Sequence, residues 1–200
     1  ARYMKLALVK AVAGSSGEFS GTPQSGISYD RVGFHMIAND GNIMEHAIPF
    51  DGSLDLDNDG NANEHRGMLP TQAIGERYDI IVDFASQGIN PGDKLYLVNV
   101  LEHDNGRGPK GAIPLGNVLS GAYQATQSGN LWTGGDPAVE KIVEFRVEAY
   151  SGQDLSMNPA DFEPGGAKMI PLAIDRNNLG NPRRRNFDFG RSSGTDAAPW

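Results

Sequence analysis

Gly75-Glu76-Arg77-Tyr78-Asp79-Ile80-Ile81-Val82-Asp83-Phe84 is the stretch whose reading decides the fold class. At its centre three β-branched residues, Ile80, Ile81 and Val82, stand between charged residues. Such side chains lose rotamer freedom in a helix and fit the pleated surface of a strand. The block therefore reads as a strand over residues 79–84 whose three apolar residues, Ile80, Ile81 and Val82, lie in the core. Gly75 ahead of it marks a turn, and Asp83 behind it reads as a turn anchor rather than an acid or base. Arg77, next to Glu76 and Asp79, is expected to make a local charge-assisted hydrogen-bond set at the strand's start.

Working outward, residues 32–38 read as another strand, Asn39-Asp40-Gly41-Asn42 as a tight turn and residues 43–49 as the partner strand. Asp-Gly supplies the positive φ angles that two-residue hairpin loops require. Residues 2–12 set Tyr3, Lys5, Ala7 and Val9 against Met4, Leu6 and Leu8, a period of two. Residues 69–74 read as a short strand, and residues 95–101 as a long one that follows the Gly92-Asp93 turn. Residues 141–149 alternate Ile142, Glu144, Arg146 and Glu148 with Val143, Phe145, Val147 and Ala149, as an edge strand with one wet face does. Residues 14–28 read as a loop. Residues 103–135 read as a long insertion without periodicity, on the surface or against another domain. No segment sustains a helical period. Short strands separated by turns point to an all-β sandwich with long loops.

Composition sets limits. The 26 glycines and 12 prolines favour turns over long helices. A net charge of −8 repels phosphate backbones, so nucleic acid is not an expected partner, and Arg183-Arg184-Arg185 is too short to reverse that. With no cysteine the chain has no disulfide, no thiolate nucleophile and no blue-copper site of its own. No apolar run reaches the ~20 residues that a membrane-spanning helix needs, and no leader pattern is read. Both ends read as cuts in a longer chain. A change of character after Tyr150 places a boundary near residue 152. It separates a domain over 1–152 from a linker and the first strand of a following domain over 153–200, with Phe187-Asp188-Phe189-Gly190 as that strand's start.

Several segments carry a family resemblance. Ala1-Arg2-Tyr3-Met4-Lys5-Leu6-Ala7-Leu8, Ile37-Ala38-Asn39-Asp40-Gly41, residues 73–84, residues 143–147, and residues 187–200 with Gly194-Thr195-Asp196 and Pro199-Trp200 stand in one order along the chain. In that order they resemble the middle cupredoxin-like domain, and the entry to the third domain, of bacterial three-domain multicopper oxidases of the laccase-like, spore-coat-laccase type. The resemblance implies a cupredoxin-like Greek-key β-sandwich in a periplasmic or extracellular protein. It implies that the whole oxidase draws electrons singly from phenolic or metal-ion donors and reduces O₂ to water at copper. It also implies that the middle domain holds no copper ligand, that the ligands stand in flanking cupredoxin domains, and that the middle domain is structural. The chain agrees in having no His-x-His pair and no cysteine. No catalytic residue is carried over.

One loop has chemistry of its own. Asp55-Leu56-Asp57-Asn58-Asp59-Gly60-Asn61-Ala62-Asn63-Glu64 sets carboxylates at every second position before a glycine. Calcium takes six to eight oxygen ligands, and this spacing makes oxygens converge. Asp55, Asp57 and Asp59 are the expected side-chain ligands, with the Asn61 carbonyl and Asn63 completing the set. Arg66 stands where an EF-hand needs a bidentate Glu, so the loop is not an EF-hand. Asp and Asn also favour turns, so a plain polar hairpin remains the alternative. His35 reads as a surface or interface residue, and His46, His65 and His103 as isolated in loops. The scattered methionines read as core filling, and Trp132 and Trp200 as contacts with neighbouring domains. Two functions follow as expectations. One is the structural centre of a multicopper oxidase. The other is a non-enzymatic, calcium-stabilised β-sandwich binding module.

Overall fold

The computed structural model describes residues 2–13, 28–104, 108–171, 180, 183, 185 and 186. The strand start expected at residues 187–190, the motifs expected within 194–200 and most of the 14–28 loop lie outside them. The chain divides into two compact units, Ala1–Ile170 and Pro171–Trp200, and the first carries all the described elements.

The first unit is all-β. Its strands are β1 (Leu6–Ala13), β2 (Ser28–Arg31), β3 (His35–Asn39), β4 (Asn42–Pro49), β5 (Tyr78–Ile81), β6 (Lys94–Asn99), β7 (Leu101–Asp104), β8 (Gly108–Ala112), β9 (Thr126–Ser128), β10 (Leu131–Gly134) and β11 (Lys141–Arg146). One five-residue helix, α1 (Leu115–Leu119), follows β8. A four-stranded antiparallel sheet runs β11-β6-β1-β2, and a three-stranded one runs β4-β3-β5. β7–β8 and β9–β10 are separate hairpins. Among the described residues no helix is long and apolar enough to cross a membrane.

Leu8 and Leu95 of the larger sheet pack with Phe34, Met36, Phe50 and Leu69 in one buried cluster. Phe34 and Phe50 stack there with ring centroids 5.2 Å apart. The alternate residues Val9, Tyr96 and Val98 point the other way, into a second cluster with Val100, Val118 of α1 and Val139. The larger sheet is thus buried on both faces at its central strands β1 and β6, which is why residues 95–100 are apolar almost without interruption.

Several expectations are corrected by packing. The described part of residues 103–135 is not only a surface insertion: it includes β8, α1, β9 and β10, and Val118 is core, covering the sheet's second face. The strand expected over residues 95–101 breaks at Val100, between β6 and β7. Residues 69–74 make only the isolated bridge Met4↔Gln72 rather than a strand. Ile80 and Val82 are half-buried at the edge of the first cluster rather than at its centre. The 39–42 turn forms as expected, with Asp40 at φ 49° and Gly41 at φ 78°. Arg77, however, does not pair with Glu76 or Asp79. Its backbone N–H donates to Asp40 Oδ1 at 2.9 Å, and its guanidinium stands 3.7 Å from the same oxygen.

Beyond the expected boundary at 152, the chain folds back onto the smaller sheet. Residues 159–162 form a 3₁₀ turn capped by the Asn158 side chain. His35 Nε2 lies 2.7 Å from Glu163 Oε1, His46 Nδ1 lies 3.2 Å from the Phe162 carbonyl, and the Met169 N–H donates to the Glu45 carbonyl at 2.9 Å.

Candidate functional site

The acidic loop leaves the sandwich at Phe50 and returns at Gly67. The Gly67 N–H donates to the Phe50 carbonyl, and the Gly67 carbonyl accepts from Leu8 (each 2.8 Å). Gly67 sits at φ 63°, and a Cβ there would meet the Val32 carbonyl at 2.7 Å, so only glycine lets the loop close against the sheet. Leu56 tucks into the first core cluster and tethers the loop's middle.

Within the loop, Asp55 organises the backbone. Its Oδ1 accepts from the Asn58 N–H at 2.9 Å and its Oδ2 from the Gly60 N–H at 2.8 Å. Asn58 and Gly60 take the positive φ values, 61° and 94°, that this wrapping demands. The Gly60 amide first, then the Asn58 amide, hold the Asp55 carboxyl below the usual carboxylate range. Asp59 Oδ1 accepts from the Asn61 N–H at 2.8 Å. A 3₁₀ turn, Ala62–His65, closes the loop. Arg31 pins it by donating to the Asn63 carbonyl at 2.8 Å and the Glu64 carbonyl at 2.9 Å.

Of the five expected ligands, the structure brings three together. Carboxylate oxygens of Asp55, Asp57 and Asp59 lie within 4.8 Å of one another. The Asn61 carbonyl accepts from the Glu64 N–H, the Asn63 carbonyl accepts from Arg31 and Arg66, and the Asn63 side-chain oxygen sits against Gly52. Three carboxylates can supply monodentate or bidentate oxygens to a hard cation, but Asp55 would have to share oxygens already held by two amides. A second group overlaps the first: oxygens of Asp57 and Glu64 and a ring nitrogen of His65 also lie within 4.8 Å of one another. Sequence reading set His65 apart as an isolated loop histidine. Its position next to Glu64, in the same acidic loop, was the available signal.

The other histidines stand apart, and none of the three is a loop residue as the sequence suggested for two of them. His35 is in β3, His46 in β4 and His103 in β7. His103 is buried, its N–H donating to Asp136 at 2.8 Å while its ring nitrogen meets the Tyr3 carbonyl at 3.1 Å. Neither group of close-set ligand atoms among the described residues holds more than one histidine. Copper of the blue or trinuclear kind needs clustered imidazoles, and the blue centre needs a thiolate as well. These residues do not fit it, and no step through copper is derived.

Near His103 a polar cavity of about 540 Å³ is lined by Arg2, Glu102, Lys110, Trp132 and Asp136 among others. Arg2 pairs with Asp136, Lys110 Nζ lies 3.1 Å from Glu102, and the Tyr123 hydroxyl donates to Glu102 at 2.9 Å while accepting from the Asp136 N–H at 2.7 Å. Burial, and the neighbouring Glu102 carboxylate, push the Tyr123 phenol up to about 12. Apart from Arg2 Nε, which is buried without a hydrogen bond, these groups answer one another, so the network reads as a brace between the β7–β8 hairpin and the segment ahead of β1. The chain matches no family model, no curated protein and no solved structure.

Proposed function

We propose that this chain is the structural, copper-free middle of a multicopper oxidase, a cupredoxin-like Greek-key domain that holds its flanking domains in register. The observation that carries the reading is the placement of its two most specific motifs. Residues 37–41 and 75–84, some thirty residues apart, meet as the antiparallel neighbours β3 and β5, and Asp40 at the tip of one accepts from Arg77 at the start of the other. The resemblance rests on five segments in one order, and this pairing makes two of them one unit. Edge strand β11 adds support: Ile142, Val143 and Phe145 are each about 40% exposed, an apolar edge of the kind that neighbouring domains cover. In this reading the donor, phenolic or metallic, and O₂ react at copper held by other domains, and no residue of this chain is catalytic.

The test is intact mass with copper analysis on the full-length natural protein. A mass well above 21.4 kDa with about four copper ions per molecule is expected. A mass of 21.4 kDa without copper would overturn the reading.

The convergence of Asp55, Asp57 and Asp59 favours a second reading, a non-enzymatic calcium-stabilised binding module. It requires a melting temperature that rises with millimolar calcium and stops rising in Asp57→Ala.

A further inference from the structure

Asp57, Glu64 and His65 bring donors of two chemistries to one point. His65 Nε2 lies 3.2 Å from Glu64 Oε1 and 3.5 Å from Asp57 Oδ1. The His65 side chain is 26% exposed, but that nitrogen itself is sealed from solvent and makes no hydrogen bond. Both oxygens stand at ion-pair distance from it without completing a hydrogen bond. A buried ring nitrogen left in this state is costly unless something else satisfies it. Ligand atoms about 2.1 Å from a tetrahedral zinc ion stand about 3.4 Å apart, and the two measured separations bracket that value.

We propose that Asp57, Glu64 and His65 form a three-ligand site for a divalent first-row cation of the Zn²⁺ type, with water completing the shell. Imidazole beside two carboxylates selects a borderline cation over calcium, which takes oxygen ligands in larger number and at longer distance. Asp57 and Glu64 side chains are 52% and 39% exposed, which leaves the open coordination position toward solvent. Asp55 is a positioning residue here. Its two amide contacts fix the backbone on which Asp57 stands, and Arg31 fixes the turn that carries Glu64 and His65. Four carboxylates, Asp55, Asp57, Asp59 and Glu64, outnumber the guanidiniums of Arg31 and Arg66, so the loop attracts cations. The inference is independent of the oxidase reading and survives its failure.

The experiment is calorimetric titration of the purified chain with Zn²⁺, and separately with Ca²⁺, for the wild type, His65→Gln, and Asp154→Asn as a remote control. One Zn²⁺ per chain is expected, bound at least about tenfold more weakly by His65→Gln and unchanged in the control. Equal Zn²⁺ affinity in His65→Gln, or Ca²⁺ binding at this loop as tightly as Zn²⁺, would overturn the proposal. Should His65→Gln fail to fold, the imidazole ¹⁵N resonances of the wild type decide. A Zn²⁺-dependent shift of His65 Nε2 supports the site, and an unmoved resonance sinks it.

Discussion

Replacing Asn99 by alanine should remove a large part of this domain's stability. Asn99 is wholly buried, at the break between β6 and β7. Its Oδ1 accepts from the N–H groups of Lys5 and Leu101, both at 3.2 Å, and its Nδ2 donates to the carbonyls of Ala138 at 2.7 Å and Leu101 at 3.3 Å. One side chain thereby satisfies backbone groups on the approach to β1, on β7 and ahead of β11. A net hydrogen bond is worth about 1 kcal/mol, and an orphaned buried partner costs about 1–3 kcal/mol. Four contacts place the loss for Asn99→Ala at about 4 kcal/mol, against total stabilities of about 5–15 kcal/mol for ordinary domains. Asn99→Asp should be no milder at neutral pH. It keeps the acceptor, but it sets a buried carboxylate against two carbonyls. Urea unfolding followed by far-ultraviolet circular dichroism measures both. A loss below about 1 kcal/mol in Asn99→Ala with an unchanged slope would refute the argument, because the four groups would then have found other partners.

Gly67→Ala should cost about 3 kcal/mol in the same assay, since it combines a left-handed backbone with a Cβ driven into the Val32 carbonyl; a loss under about 1 kcal/mol counts against this packing. The Asp136 carboxyl would be raised by burial, but the Arg2 guanidinium and the amides of Ala138 and His103 outweigh burial and hold it below the usual range. A depressed folded-state value means its contribution is intact above about pH 4 and is lost as the pH falls further. The melting temperature of Asp136→Asn should therefore depend less on pH below about 4 than that of the wild type. Burial pushes the Tyr78 and Tyr123 phenols up to about 12. Their contribution is complete below about pH 10 and is lost as the pH rises toward 12. Burial raises the Tyr29 phenol as well, so ultraviolet titration should show Tyr78 and Tyr123 among several late-ionising phenols, with one late phenol fewer in Tyr123→Phe. Glu163→Gln should weaken the grip of His35 on residues 158–169 and speed amide exchange at Met169 without altering exchange in β6.

The all-β architecture was legible because its signals are local. A β-branched block, an Asp-Gly turn and a period-two alternation each follow from one segment's own sterics, and the 39–42 turn, β5, β1 and β11 formed at those signals, although β5 stops at Ile81, β1 starts only at Leu6 and β11 stops at Arg146. What was illegible depended on partners distant in sequence. The apolar run over residues 95–101 gives no hint that Asn99 turns inward to join three segments and ends β6. Residues 103–135 lack periodicity because their elements are too short to show one: β9 is three residues long and α1 is five. Val118 is nevertheless core, since Val9, Tyr96 and Val98 leave an apolar face that some part of the chain has to cover. Arg77 was assigned to its nearest acids in sequence, but alternate residues of a strand point to opposite faces, and the hairpin tip at Asp40 offers an acceptor across the sheet.

The acidic loop shows the same limit at a candidate site. Spacing alone gave Asp55, Asp57 and Asp59 one role, whereas the fold divides them. Asp55 is consumed by its own loop's amides, an arrangement that costs it freedom as a ligand but fixes where Asp57 stands. The residues that Asp57 then meets, Glu64 and His65, are brought to it by a 3₁₀ turn whose carbonyls are held by Arg31 on β2, more than thirty residues upstream. No reading confined to the acidic repeat could find that contact, because its cause lies in the strand pairing that places β2 beside the loop. The ligand chemistry of the loop therefore follows from the sandwich beneath it: removing Arg31 should disturb the Asp57–Glu64–His65 group, even though Arg31 touches none of its ligand atoms.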